Sequence, residues 1–245
     1  MSGVFLIVKR EFLFFRKRWF QVTSAALVSP ILYAIAFGWG LGRHVEMHGR
    51  PYMDFVLPGI IAVTGMFASY SAVAMRVNTA RVHEHSFEYY LVAPIHLIEL
   101  AAGYTLAGML RGLYAVTLVT GVFIAAGQRI PIDASFLLIC LLNTAAFASL
   151  GYAAAVMIDN HYDMANFSAY VMTPMVFLCG TFFSLEALPP VVRTLVWALP
   201  LSQSSSGLRA VAYDAAVSVW VYVILSLSLL LCMVLGVAMS RKDMP

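Results

Sequence analysis

"GTFFSLEALPPVVRTLVWALPLSQSSSGLR" occupies 180–209 and lies between two long apolar runs. It holds three prolines, two arginines, one glutamate and a run of serines. Pro189-Pro190 stops a continuous helix, because proline removes a backbone donor and its ring clashes with the preceding turn. Between that pair and Pro200, VVRTLVWAL puts Val191, Leu195, Ala198 and Leu199 on one face and Arg193 elsewhere. The expected path is a helix ending near Phe183 just past Gly180, a proline turn, a short amphipathic helix ending by Pro200, and a second turn through the serines. Trp197 is placed to sit at headgroup level. Irregular backbone survives at membrane depth only when buried in protein or lining a wet cavity. Segment 184–209 therefore reads as a re-entrant hairpin of short helices at the outer leaflet. The plain alternative is an external loop resting on the membrane.

The rest of the chain makes lipid the solvent. Of 245 residues, 62% are hydrophobic and 11% charged, with mean hydropathy +0.86. Soluble domains carry about 25% charged residues, and no soluble fold of this length hides so much apolar surface. The net charge of +3 is small and scattered, which gives no nucleic-acid footprint. Cys140, Cys179 and Cys232 lie in apolar runs without CxxC spacing and read as small hydrophobes, not as a disulfide or a metal site.

A membrane-spanning helix needs about 20 mostly apolar residues. Six stretches qualify: 21–42, 54–75, 100–126, 134–158, 165–183 and 216–240. The expected fold is all-α, a single polytopic domain over 1–245 with six transmembrane helices. The first span has a long charged flank and no cleavage motif, so it is not a signal peptide. Lysine and arginine set the orientation. Lys9, Arg10, Arg16, Lys17, Arg18, Arg76, Arg81, Arg241 and Lys242 fall on one side; Arg43, Arg50, Arg129, Arg193 and Arg209 fall on the other. Both termini then face the cytoplasm and segment 184–209 faces out.

VFLIVKREFLFFRKRWF, residues 4–20, mixes large apolar side chains with five cations: Lys9, Arg10, Arg16, Lys17 and Arg18. It is too charged to span and fits an amphipathic interfacial helix on the inner surface, against anionic lipid headgroups. A bare positive-inside anchor is the simpler reading. The cytoplasmic loop 76–99 carries Glu84 and Glu88, four apart and so on one helical face, which suits docking on a soluble partner. His83 and His85 are two apart, a poor spacing for a metal on a helix. Gly108/Gly112 and Gly38/Gly42 form GxxxG pairs, which allow close helix packing; packing within the chain is favoured over a dimer seam. Asn143 and Asn166 read as hydrogen-bonding residues between helices. Arg111 lies about eleven residues, roughly 16 Å, into the third span. A cation there faces a protein interior or a wet cavity: either it meets an anionic substrate group in the pathway, or it pairs within the bundle.

The chain resembles the integral membrane permeases of ABC type-2 exporters, which move polysaccharides, lipo-oligosaccharides, teichoic acids and drugs. The resemblance covers nearly the whole chain. TPMVFLCGTFFSLEALPPVVRTLVWALPLS (173–202) is similar to the family's TP, G-x-x-F, L-P and second L-P pattern. YMDFVLPGI (52–60) resembles the entry to its second span, MLRGLY (109–114) a recurrent R-G, and FEYYLVAPIHLIEL (87–100) its cytoplasmic "E-x-LL-x-x-P" segment, with Tyr89-Tyr90 in place of leucines. The resemblance implies a coupling helix in the first cytoplasmic loop, matched by Glu84, Phe87, Glu88 and Pro94, that docks on a separate ATPase. It implies a second ATPase contact at the N-terminal helix. It also implies short outer re-entrant helices that help close the pathway, here carrying Gly180, Pro189, Pro190, Trp197 and Pro200. Two permease copies, expected as a homodimer, would work with two copies of an ABC ATPase subunit.

No G-x-x-x-x-G-K-[ST] occurs in the sequence, so this chain is not expected to cradle ATP. It is read as a non-enzyme with no catalytic residue, no metal and no cofactor of its own, ATP and Mg belonging to the partner. The alternatives are a membrane-embedded enzyme built on Asp159 and Asp163, or a passive channel. Membrane lipids are expected partners, nucleic acid is not, and the expected location is a bacterial inner membrane.

Overall fold

The structure, a computed structural model, describes residues 3–41, 46–47, 49–82, 84 and 95–241. Helix α1 (Gly3–Lys17) turns at Arg18 into α2 (Trp19–Tyr33), which runs on as a π-helix over Ala34–Leu41. Pro30 inside α2 lacks the donor that a regular turn needs, and the widened turns begin four residues later. Strands β1 (Glu46–Met47) and β2 (Arg50–Pro51) pair as a tiny antiparallel ladder. Then follow α3 (Tyr52–Val82), α4 (Leu97–Ala125) and α5 (Ala134–Met157). Next come α6 (His161–Phe167), a π-helical stretch Ser168–Met172 and α7 (Thr173–Leu178), joined end to end. A 3-10 turn (Leu185–Ala187), α8 (Pro190–Trp197), α9 (Pro200–Ala212) and α10 (Val219–Ser240) complete the chain. The architecture is all-α apart from that ladder, among the described residues.

Among the described residues, five helices are long and apolar enough to cross a membrane: Trp19–Ala36, Tyr52–Val82, Leu97–Ala125, Ala134–Met157 and Val219–Ser240. The stretch expected at 165–183 is instead the composite α6–α7. The segments on either side of it meet opposite ends of α3. Asn78 and Arg81 of α3 donate to the carbonyls of Ile158 (3.1 Å) and Ala155 (2.8 Å), and Arg81 pairs with Asp159 at 3.2 Å. At the far end, the Tyr52 hydroxyl donates to the Phe182 carbonyl at 2.5 Å.

Helices α3 and α5 form the centre, with Val56, Ile60, Met66, Val77, Ile139, Phe147 and Tyr152 almost fully buried. The Gly108–Gly112 pair of α4 packs within the chain, as its spacing predicts. A Cβ on Gly108 would sit 2.4 Å from Val73 of α3, and one on Gly112 2.7 Å from Thr144 of α5. Gly42 lies outside the described residues. Asn143 bridges three helices: its amide donates to the Ala62 carbonyl (3.0 Å) and its oxygen accepts from Ser204 of α9 (2.8 Å). Asn166 has no hydrogen-bond partner among the described residues. Helix α3 has 31 residues, about 46 Å at 1.5 Å per residue, so it outruns a hydrocarbon core of about 30 Å. The loop expected at 76–99 therefore begins as helix.

Candidate functional site

Two regions gather the residues singled out in the sequence. The first joins α1 to the end of α3. Glu11 accepts from Arg10 at 2.8 Å and from Arg76 at 3.4 Å, and Arg76 also reaches Glu84 at 3.3 Å. Arg10 donates to the Tyr104 hydroxyl of α4 at 2.8 Å. The guanidinium of Arg76 also lies over the Phe14 ring at 4.9 Å. Glu84 is thus tied through Arg76 and Glu11 to α1. Exposed ion pairs contribute about 0–1 kcal/mol each, but Glu11 and Arg76 are largely covered, which strengthens this chain. Phe87, Glu88, Pro94, His83 and His85 lie outside the described residues.

Helix α1 is amphipathic as its pattern demands. Ile7 is buried against α4, Phe5, Leu6, Phe12 and Leu13 are exposed, and so are Lys9, Arg16, Lys17 and Arg18. Arg18 lies over the Phe14 ring at 5.0 Å.

The second region is the broken segment. Gly180 adopts φ +71°, the left-handed conformation that lets a helix end turn sharply at little cost for glycine. Pro189 precedes α8, while Pro190 and Pro200 open α8 and α9, where a missing donor costs nothing. The serine run differs from its expected turn. Ser202–Ser206 are helical within α9, and all but Ser206 are buried. The turn falls at 198–199, because Ser202 and Gln203 donate to the last carbonyls of α8, Val196 and Trp197, at 2.6 Å each. Ser204 also bonds back to the Pro200 carbonyl at 3.0 Å. Trp197 packs edge-on to Trp220 of α10, with centroids 6.3 Å apart.

Arg209 carries a structural role that its count among the outer cations did not foresee. Its Nη2 donates to the Gly180 carbonyl (2.8 Å) and its Nε to that of Phe55 (3.2 Å), with the guanidinium 3.8 Å from the Phe55 ring centre. It ties α9 to the start of α3 and to the Gly180 turn. The residues that signal this in sequence are the helical spacing of Ser205 and Arg209, which also bond at 3.3 Å.

Arg111 of α4 lines two cavities. One, of about 570 Å³, lies between α1, α3 and α4 and is walled by Phe5, Phe12, Phe15, Tyr104, Tyr114 and Lys9 among others. The other, of about 320 Å³, lies between α2, α3 and α4, with Ser29, Tyr33, Thr64 and Ser71 on its wall. In the loop after α5, Asn160 caps α6 by accepting from the Asp163 amide at 2.7 Å, and Asp159 takes Arg81. Asp159 and Asp163 thus serve a helix cap and an ion pair.

With five helices, among the described residues, long and apolar enough to cross a membrane, the bundle defines a polytopic membrane protein. The chain belongs to the ABC-2 type transporter family, whose sequence profile matches residues 2–213. It is 32% identical over 197 residues to the inner membrane transport permease YadH of Escherichia coli (strain K12), covering 80% of this chain and 77% of that protein. It is 29% identical over 215 residues to nodulation protein J of Bradyrhizobium diazoefficiens (84% and 79%) and 28% over 213 residues to that of Rhizobium meliloti (83% and 78%).

Proposed function

We propose that this chain is the permease subunit of an ATP-driven exporter, forming the substrate path as a homodimer and driven by two copies of a separate ATPase that binds ATP and Mg. The family match over residues 2–213 carries this reading, and a sequence without a phosphate-cradling P-loop supports placing the nucleotide on another polypeptide. The loop from Glu84 through Phe87 and Glu88 to Pro94 is the docking element. The Glu84–Arg76–Glu11 chain gives that element a mechanical link to α1. Lys9, Arg16, Lys17 and Arg18 hold α1 on anionic lipid of the inner leaflet, so the termini are cytoplasmic. The composite α6–α7 is the fifth of six crossings, a reading supported by the residues that flank it, Asp159 before and Phe182 after, which meet opposite ends of α3. Helices α8 and α9 then form the re-entrant closure at the outer leaflet, with Trp197 and Trp220 at headgroup level. The substrate is an amphipath, and Arg111 faces its path.

The test is a mild-detergent pull-down of the tagged chain from native membranes, with mass spectrometry and an ATPase assay. A stoichiometric P-loop protein should co-purify and be released by Glu84→Lys with Glu88→Lys. Recovery of the chain alone, without ATPase activity, from membranes that keep other complexes intact would overturn the reading.

A further inference from the structure

A third cavity, of about 810 Å³, opens between the start of α3, the turn joining α4 to α5, and the end of α9. It shares no lining residue with the two cavities at Arg111. Leu57, Phe136 and Leu208 are buried and make an apolar floor, which the exposed Ile124 carries to the flank of the bundle. At the rim stand Arg50, Arg129 and Asp214, all exposed, and the half-buried Asp54. Two cations and two anions thus share one opening, yet no ion pair joins them among the described residues.

Separate segments hold these charges apart. Arg50 lies over the Tyr213 ring, 4.7 Å from its centre. Asp54 sits in the first turn of α3, and Arg129 follows the Gly127 turn (φ +88°) that ends α4. Asp214 reaches the rim from a left-handed turn of its own, at φ 53°. Between the lining residues Ala212 and Asp214, the Tyr213 hydroxyl is buried without a hydrogen-bond partner among the described residues. Arg209, Asp54 and Arg50 all act on it electrostatically. An unpaired buried hydroxyl is costly, and a polar ligand lodged between Asp54 and Arg50 would supply its partner.

The balance of charge selects the ligand. A simple anion would leave the two aspartates unmatched, and a simple cation the two arginines. A zwitterion answers both: a phosphate accepts from guanidinium groups, and a primary ammonium donates to carboxylates. The apolar floor suits a glycerol backbone and an acyl chain leaving past Ile124, which favours a lipid over a free zwitterion. The volume falls in the ordinary range for ligand sites. We propose that this cavity binds the headgroup of an aminophospholipid of the phosphatidylethanolamine kind. Its phosphate lies at Arg50 and Arg129, its ammonium at Asp54 and Asp214, and the Tyr213 hydroxyl donates to the phosphate. The proposal does not rest on the exporter reading.

The test titrates the full chain, stripped of lipid in neutral detergent, and reads binding by native mass spectrometry. The probes are lysophosphatidylethanolamine, lysophosphatidylcholine and lysophosphatidylglycerol of one acyl length, with glycerophosphoethanolamine as the chain-free control. The ethanolamine lipid should bind best. The choline lipid has no N–H to give a carboxylate and the glycerol lipid has no cation, so each should bind roughly tenfold more weakly or worse. Arg50→Gln and Asp54→Asn should each weaken the ethanolamine lipid by roughly tenfold to a hundredfold. Asp54→Asn should also narrow its lead over the choline lipid, a change that misfolding would not produce. Tyr213→Phe removes an unpaired hydroxyl, so it should melt no lower than the parent without lipid and still bind the lipid more weakly. Equal binding of the three lysolipids overturns the proposal, and so does unchanged binding in both Arg50→Gln and Asp54→Asn. Glycerophosphoethanolamine binding as tightly as its lysolipid overturns the lipid assignment, because the apolar floor would then contribute nothing.

Discussion

Arg209 ties the Gly180 turn to the first turn of α3, beside the Tyr52–Phe182 bond that joins the same two segments. The carbonyl of Gly180 belongs to a helix end turned at positive φ, and that of Phe55 to the first turn of α3; both accept from one guanidinium. Hydrogen bonds to a charged donor contribute about 1.5–3 kcal/mol, and a desolvated cation–π contact about 2 kcal/mol. Arg209→Lys should fail to restore this, because a compact ammonium cannot span two carbonyls and stack. The expected loss is on the order of 3 kcal/mol, seen as a lower melting temperature in detergent and faster proteolysis at 180–184; unchanged melting would remove Arg209 from the architecture. The glycines of α4 give a sharper contrast at the same scale. Gly108→Leu would drive its Cβ to 2.4 Å from Val73 and 3.1 Å from the Ser69 carbonyl, whereas nothing lies within 4 Å of a Cβ on Gly121. Overpacking costs about 1–3 kcal/mol, so Gly108→Leu should melt early. Gly121→Ala should melt as the parent or slightly later, since alanine favours helix by up to about 1 kcal/mol over glycine. Equal melting of both variants would disprove the close packing of α4 on α3.

Elements were legible in proportion to how local their cause is. The prolines at 189, 190 and 200 announced two breaks, and the structure breaks there. The serines read as a turn, because polar residues in an apolar chain usually leave the membrane. Their hydroxyls instead return to carbonyls of their own helix and of α8, and Ser204 reaches Asn143, 61 residues away. That last partner is a tertiary fact no local pattern carries. The same limit hid the partners of Arg209, which in sequence looks like Arg111, a single arginine in an apolar run. Helix α1 was legible as an amphipath, but its seat was not. Ile7 lies in the notch above Gly103, whose Cβ would meet it at 2.9 Å. Gly103→Leu should therefore lift α1 from α4 and stretch the Arg10–Tyr104 bond. Spin labels at Lys9 and Leu106 should move apart by several ångströms and broaden in distance. An unchanged distance distribution would show that α1 is not seated there.

At the scale of the molecule, the question is how many times the chain crosses. Among the described residues, five helices are continuous and apolar enough on their own; five crossings, an odd number, would put the two termini on opposite sides. The composite α6–α7 decides parity. From His161 to Leu178 it has 18 helical residues, about 27 Å at 1.5 Å per residue, close to the hydrocarbon core of about 30 Å. Its start lies beside Arg81 and its sequel beside Tyr52, the two ends of a helix that itself spans. Its middle is π-helical and its faces carry Tyr170 and Asn166, which dilutes the hydropathy that a composition test needs. Single cysteines at Gln128, Asn160 and Ser184, in a chain with Cys140, Cys179 and Cys232 replaced by alanine, read the parity directly in intact cells with a membrane-impermeant maleimide. Six crossings with cytoplasmic termini label Gln128→Cys and Ser184→Cys from outside and Asn160→Cys only after permeabilisation. If Asn160→Cys and Ser184→Cys label from the same side, α6–α7 turns back without crossing. The re-entrant assignment of α8 and α9 then falls with it, since both helices would sit at the same end of the bundle as Arg81 and Asp159.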